Sequence, residues 1–401
     1  MSDPLIGNIL DAVRDRGVKA VLEYTEAFDH VRLSPDDLIW NPLAEAPAVI
    51  EPAVREAVDF AMDQIRRFHE ATRPAPVTVN QAPGLILREV FQPLGRVGIY
   101  VPNGQFPLVS SLMMTAIPAQ VAGVTDLVVA IAPRGHVTSD PVWLYVLQKL
   151  GIRQVLRVGG AQAIAALGYG LPGLPPVDLI AGPGNRYVAW AKQELFRRGV
   201  TGIDVIAGPS EVLVISQDTT LAPLVALDLL AQAEHDPDAK AYLVSWNPDL
   251  IAAVKDYIAS HGNPADRLGQ IEYIVVANAD EAVQTANRIA PEHLGLIGAE
   301  VEPLWPQLTT AGALFVGRLA GQALGDYVAG PSHVLPTGHT GRFLSGLSTR
   351  TFMRRISVIQ TEDSLPAAFL EAGQVLAHLE GLRYHEQSLA VRQQLRGREG
   401  F

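Results

Sequence analysis

From Arg96 onward the chain alternates short apolar runs with amphipathic stretches, and this alternation constrains the fold more than any other feature. GRVGIYVP, TDLVVAIAP, QVLRVGG and VDLIAGPG form one series, and EVLVIS, AKAYLVSW and EYIVVAN form a second after Ala207. Helical patterns fall between them, at 110–122, 161–167, 187–198 and 222–233. Continuous apolar strands separated by helices fit parallel sheets covered on both faces. The expected class is α/β, with two Rossmann-like parallel-sheet domains at 96–207 and 208–320 and helical extensions at both ends. Residues 1–95 read as a helical arm or cap leading into the first α/β region. Residues 321–401 read as a Gly/Pro/His-rich loop, GDYVAGPSHVLPTGH, followed by a helical tail.

Acidic residues outnumber basic ones 42 to 31, and the net charge of −11 repels a phosphate backbone or an anionic bilayer, so neither nucleic acid nor a membrane is an expected partner. The opening MSDPLIGNILDAVRDRG has no basic segment followed by an apolar one, and a cytoplasmic setting is expected. Cys is absent, which removes disulfides, thiolate nucleophiles and thiolate metal sites. Any metal must be held by imidazole, carboxylate, amide or water.

Within LDLLAQAEHDPD, Asp228, Gln232 and His235 are spaced by four and three, which puts them on one helix face. Gln232 and His235 can offer zinc an amide oxygen and an imidazole; the same spacing also suits a solvated face with His235 at its C-terminal end. Glu292 and His293, in IAPEHLGLIG, stand between a helix and an apolar strand, where a carboxylate and an imidazole can act on two different protons. A packed turn explains the pair equally well. Asp326 and His333 lie in the turn-rich loop, and Asp326 can serve as a hard ligand with His333 directed to substrate. Glu380 and His385, five apart, share a face only if the helix breaks, for which Gly381 is a cue. GYGLPG follows a helical pattern and contains Pro172, so it is not a dinucleotide fingerprint. GGAQA, with Gln162, and GPGN, with Asn185, follow predicted strands, where α/β sheets bind ligands; ordinary strand-to-helix turns have the same composition.

Taken in order, VGIYVPNGQFPLVSS, RVGGAQAIAALGYG, DLIAGPGNRYV, IDVIAGPSEVLV with LLAQAEHDPDA, and APEHL followed by GDYVAGPSHVLPTG resemble the histidinol dehydrogenase family. The resemblance implies NAD-dependent four-electron oxidation of L-histidinol through the aldehyde to L-histidine. It implies one zinc ion per subunit on Gln232, His235, Asp326 and His385. Glu292 and His293 match the family's proton acceptors. Ser210, His333, Glu380 and His293 match its substrate contacts, together with the zinc ligands Gln232, His235, Asp326 and His385. Tyr100, Gln162 and Asn185 match its NAD contacts. An intertwined homodimer is implied as well, with Glu380 and His385 supplied across the subunit boundary.

The chain departs from the family pattern at Asn103, Gln105 and Phe106, at Gly321 and Gln322 where Pro-Glu is usual, and at Ser332, and its N-terminal arm reads as short. A paralogue acting on another small polar alcohol, a non-catalytic zinc-stabilised scaffold and a zinc hydrolase are the competing readings.

Overall fold

The computed structural model describes residues 4–102, 108–133, 140–205, 208–235, 237–262 and 269–396. Asn103, Gln105 and Phe106 lie outside the described residues. Contacts divide the chain into a large unit, Met1–Arg73 with Leu94–Phe352, and a small one, Pro74–Pro93 with Met353–Phe401.

Along the chain, helices α1 (Pro4–Arg16) and α2 (Val18–Asp29) precede the short strand β1 (Ile39–Trp40), and α3 (Pro52–Ala71) leads into β2 (Val77–Ala82) and β3 (Leu85–Pro93). The apolar series then appears as β4 (Arg96–Val101), α4 (Val109–Ala122), β5 (Asp126–Ile131), α5 (Pro141–Lys149), β6 (Gln154–Leu156), α6 (Gly160–Tyr169), β7 (Leu179–Ala181), α7 (Arg186–Arg197) and β8 (Gly202–Ile203). The second series is β9 (Glu211–Ser216), α8 (Ala222–Ala233), β10 (Lys240–Ser245), α9 (Pro248–His261), β11 (Gln270–Val275), α10 (Ala279–Ile289), β12 (His293–Ile297) and β13 (Ala313–Val316). Last come α11 (Gln322–Tyr327), β14 (Met353–Thr361), α12 (Ala367–Leu379) and α13 (Arg383–Leu395).

In the large unit, the first sheet has the order β1-β6-β5-β4-β7-β8 and the second β11-β10-β9-β12-β13. All pairings are parallel except that of the edge strand β1 with β6. Apart from the edge strand β1, the chain enters each sheet at a central strand, β4 or β9, winds outward one way, then crosses back and winds the other way. The reversal points lie beside β4 and β7 in the first sheet and beside β9 and β12 in the second, and a reversal leaves a crevice at the carboxyl ends of such strands. Helices cover both faces of the second sheet: α8 and α9 pack with Val212, Val214 and Leu243, while α10 packs with Leu213, Ile215 and Leu294.

The first two helices are part of a core. Ile6, Ile9, Leu10 and Val13 of α1 and Ala20 and Val21 of α2 pack with Ile164 and Leu167 of α6 and Leu195 of α7 against one face of the first sheet. Their heptad-like apolar spacing thus serves a cap and not a projecting arm. Within α3, His69 is buried with neither ring nitrogen hydrogen-bonded among the described residues, and burial pushes it down to about 4. Between the unfolded value of 6.5 and that value, the unfolded chain takes up a proton that the folded chain refuses. Stability is accordingly full above pH 6.5 and falls by about 3 kcal/mol as pH drops towards 4. Urea unfolding of the wild type and His69→Leu at pH 7.5 and 4.5 should show this loss in the wild type and a flatter response in the variant.

The small unit holds an antiparallel sheet, β14-β3-β2, absent from the strand reading of the sequence. Its strands mix charges with apolar residues, as in LILREVFQP and MRRISVIQT, and β3 pairs along its length with β14 from the far end of the chain. A local pattern carries little signal for such a pairing. In the same unit α12 and α13 form a hairpin that turns at Gly381, whose φ is 72°.

Candidate active site

The first group of site residues stands at the carboxyl edge of the first sheet. Tyr100, near the end of β4, is buried, and its hydroxyl accepts the Gly160 N–H at 3.1 Å, tying the strand to the start of α6. Gln162, in the first turn of α6, is also buried, and neither atom of its amide has a hydrogen-bond partner among the described residues. Across the reversal point, β7 runs into Gly182, whose φ is 110° and where a Cβ would collide with the Tyr100 carbonyl oxygen. Only glycine fits there. Asn185 is exposed and caps α7, its Oδ1 accepting the N–H groups of Tyr187 and Val188 at 3.1 Å each. Loop glycines, a helix N-terminus and an unpartnered amide at a parallel-sheet crevice can receive a dinucleotide.

The second group gathers at the amino ends of β9 and β12, the opposite edge of the second sheet. Glu292 and His293 are 6% and 4% exposed. The Glu211 N–H donates to Glu292 Oε2 at 3.1 Å, and Ser210 hydrogen-bonds the same carboxyl group. Burial pushes Glu292 up to about 8, reinforced by the charges of Asp326 and Glu211. The Glu211 carbonyl lies 3.2 Å from His293 Nδ1; a carbonyl only accepts, so Nδ1 carries the proton and Nε2 the lone pair. Nε2 is buried, has no hydrogen-bond partner among the described residues and lies 3.8 Å from Asp326 Oδ1. Burial also holds His293 down to about 4, which keeps the ring neutral. The result is a neutral imidazole base directed at a carboxylate.

Asp326 lies on α11, and its backbone carbonyl accepts from His333 Nδ1 at 2.9 Å. His333 Nε2 is therefore free to accept, and it lies 3.3 Å from the Ser111 hydroxyl of α4, linking this loop to the first sheet. Gln232 is fully buried at the end of α8, and among the described residues both its amide atoms are unpartnered. His235 lies beyond that helix, which ends at Ala233 with Glu234 as its C-cap, so the expected continuous helical face stops short of it. Pro237, whose ring excludes a preceding helical turn, accounts for the early end. The His235 ring is near enough to His293 and His333 to oppose their protonation. Among the described residues, no cluster of three or more His, Asp or Glu is arranged to hold a metal ion.

Glu380 and His385 belong to the small unit, where Glu380 is the C-cap of α12, His385 lies in the first turn of α13, and both are exposed. Of the departures from the family pattern, Gln322 is buried with Oε1 unpartnered, and Ser332 Oγ accepts the Val334 N–H at 3.3 Å within its own turn. Glu211 was not among the residues singled out from the sequence; its peptide group meets both side chains, which no residue pattern reveals, and its carboxylate charge adds to the rise of Glu292.

The family profile described as Histidinol dehydrogenase matches residues 2–393. Histidinol dehydrogenase of Pseudomonas savastanoi pv. phaseolicola (strain 1448A / Race 6) is 42% identical over 397 residues, covering 96% of this chain and 88% of its own length. The chain belongs to the histidinol dehydrogenase family. The Pseudomonas putida histidinol dehydrogenase is 43% identical over 397 residues, covering 96% of this chain and 89% of its own. The crystal structure of histidinol dehydrogenase from Elizabethkingia anophelis superposes with a TM-score of 0.92 at 29% identity, covering 98% of this chain and 92% of that one. Histidinol dehydrogenases are NAD-linked enzymes, and membership makes this chain a dehydrogenase of that kind. Among the described residues no helix is long and apolar enough to cross a membrane.

Proposed function

We propose that this member of the histidinol dehydrogenase family oxidises L-histidinol to L-histidine in two steps, each consuming one NAD. The observation that carries the reading is the His293–Glu292 pair: a neutral ring with a bare Nε2 beside a carboxyl group whose burial raises it to about 8. In the first step His293 Nε2 takes the hydroxyl proton of the alcohol. In the second, Glu292 takes a proton from the water that adds to the aldehyde, giving a hydrate that can be oxidised again. No cysteine is present to form a thiohemiacetal in its place. NAD supplies the hydride acceptor of each step, with Tyr100, Gln162 and Asn185 as its contacts.

The donor set fits zinc in kind: the unpartnered amide of Gln232, the imidazole of His235 and the carboxylate of Asp326, with His385 as the fourth ligand. Zinc, when bound, supplies a Lewis-acidic anchor for the amine and imidazole nitrogens of the substrate. Ser210, His333 and Glu380 complete the substrate contacts in this reading. His385 and Glu380 reach the site from the second subunit of a homodimer. Exposed Val375, Leu376 and Leu379 of α12 and Tyr384 and Val391 of α13 support such pairing, because a patch of this kind calls for a partner. A cytoplasmic setting belongs to the same reading, and the net charge of −11 supports the expectation of no nucleic-acid or anionic-membrane partner.

The test is NADH formed per L-histidinol consumed by zinc-loaded protein. Two supports the full reaction, one restricts it to the alcohol step, and none with zinc bound overturns the substrate. Aldehyde oxidation should rise with pH through about 8, because below that value Glu292 holds the proton it must accept. A flat profile across pH 7 to 9 would remove Glu292 from that role. The neutral, buried Gln322 favours a second reading, oxidation of another small polar alcohol, which a panel of amino alcohols tests directly.

A further inference from the structure

Among the described residues of the large unit is a fully buried ion pair that the chemistry above does not use. Lys192 of α7 and Asp204, just beyond β8, have side chains 3% and 0% exposed and are in direct contact. Both also reach the same peptide: Lys192 Nζ donates to the Gly182 carbonyl at 3.1 Å, and Asp204 Oδ2 accepts the Gly182 N–H at 2.7 Å. Gly182 is the residue that leaves β7 at positive φ against the Tyr100 carbonyl, and it opens the loop that ends at Asn185.

We infer that the Lys192–Asp204 pair is a positioning element that sets the Gly182–Asn185 loop for the dinucleotide. The inference rests on the NAD reading given above. Burying two charges is costly, and apolar residues of similar volume often stabilise a fold as well or better. What methionine and leucine cannot do is hold the N–H and the carbonyl of one glycine at once. With both groups fixed, the glycine keeps its left-handed conformation and the loop keeps its path over the crevice, so less ordering remains to be done when the cofactor arrives.

The test compares the full-length wild type with Lys192→Met, Asp204→Leu and the double variant, measuring the NAD Kd by titration calorimetry, kcat at saturating NAD, L-histidinol affinity and thermal unfolding. Each single variant leaves a buried charge unpaired and should melt earlier. The double variant removes both charges and should recover much of that stability, yet bind NAD about tenfold or more weakly with L-histidinol affinity unchanged and kcat at saturation within a few-fold. NAD affinity within twofold of wild type in the folded double variant would reduce the pair to a structural tie and overturn the inference. Should the double variant not fold, Lys192→Arg decides: it keeps the charge but changes the donor geometry, so a several-fold rise in NAD Kd supports the inference and an unchanged Kd overturns it. Wild-type protein that binds L-histidinol but not NAD takes down the cofactor reading itself, an outcome distinct from either result with the variants.

Discussion

Glu292→Gln is expected to cut NADH formed per L-histidinol from two towards one, with oxidation of the supplied aldehyde falling by about 10²–10⁴-fold. The change is nearly isosteric: a glutamine oxygen can still accept the Glu211 N–H that now meets Glu292 Oε2 at 3.1 Å, and Ser210 remains beside it. What disappears is the capacity to take a proton from water, which only the second oxidation requires. His293→Gln should do the reverse, stopping the reaction before the aldehyde while the enzyme still oxidises aldehyde supplied from outside. Stopped-flow measurement of the two half-reactions distinguishes the variants. Equal loss of both steps in each would show that the pair acts as a unit and would end the division of labour.

Gln232→Met is expected to abolish zinc binding and to make the metal-free protein more stable by about 1–3 kcal/mol. Gln232 is fully buried, and neither its oxygen nor its nitrogen finds a partner among the described residues, so without a metal the amide is a desolvated polar group. Methionine has similar length and no such requirement. Zinc content after dialysis and the urea midpoint in the presence of a chelator give the two readouts. Full zinc occupancy in the variant, or a metal-free form less stable than wild type, would remove Gln232 from the ligand set.

Most of the large unit was legible because its strands are buried on both faces. RVGIYV and EVLVIS are continuous apolar runs, and few other structures accommodate such runs at that length. The β14-β3-β2 sheet was not legible, because its residues are only partly buried and its partners come from distant parts of the chain. Among site residues, Gln162 and Gln232 were found through the motifs that contain them, but their buried, unpartnered amides belong to the folded state alone. Lys192 escaped notice because a lysine on an amphipathic helix ordinarily faces water, and nothing local shows that Asp204 will be waiting inside. Glu211 holds both reactive side chains through its peptide group, and any residue has a peptide group.

The two sheets share one winding order but are used at opposite edges: Tyr100, Gln162 and Gly182 stand where the first sheet's strands end, while Glu292 and His293 stand where the second sheet's strands begin. In the two-step reaction proposed above, which spends two oxidants on one molecule, this separates the holder from the consumable. In that scheme the spent cofactor leaves one sheet and a fresh one arrives while the half-oxidised aldehyde stays gripped by the other, and the proposal expects the reactive intermediate to be held between the two steps.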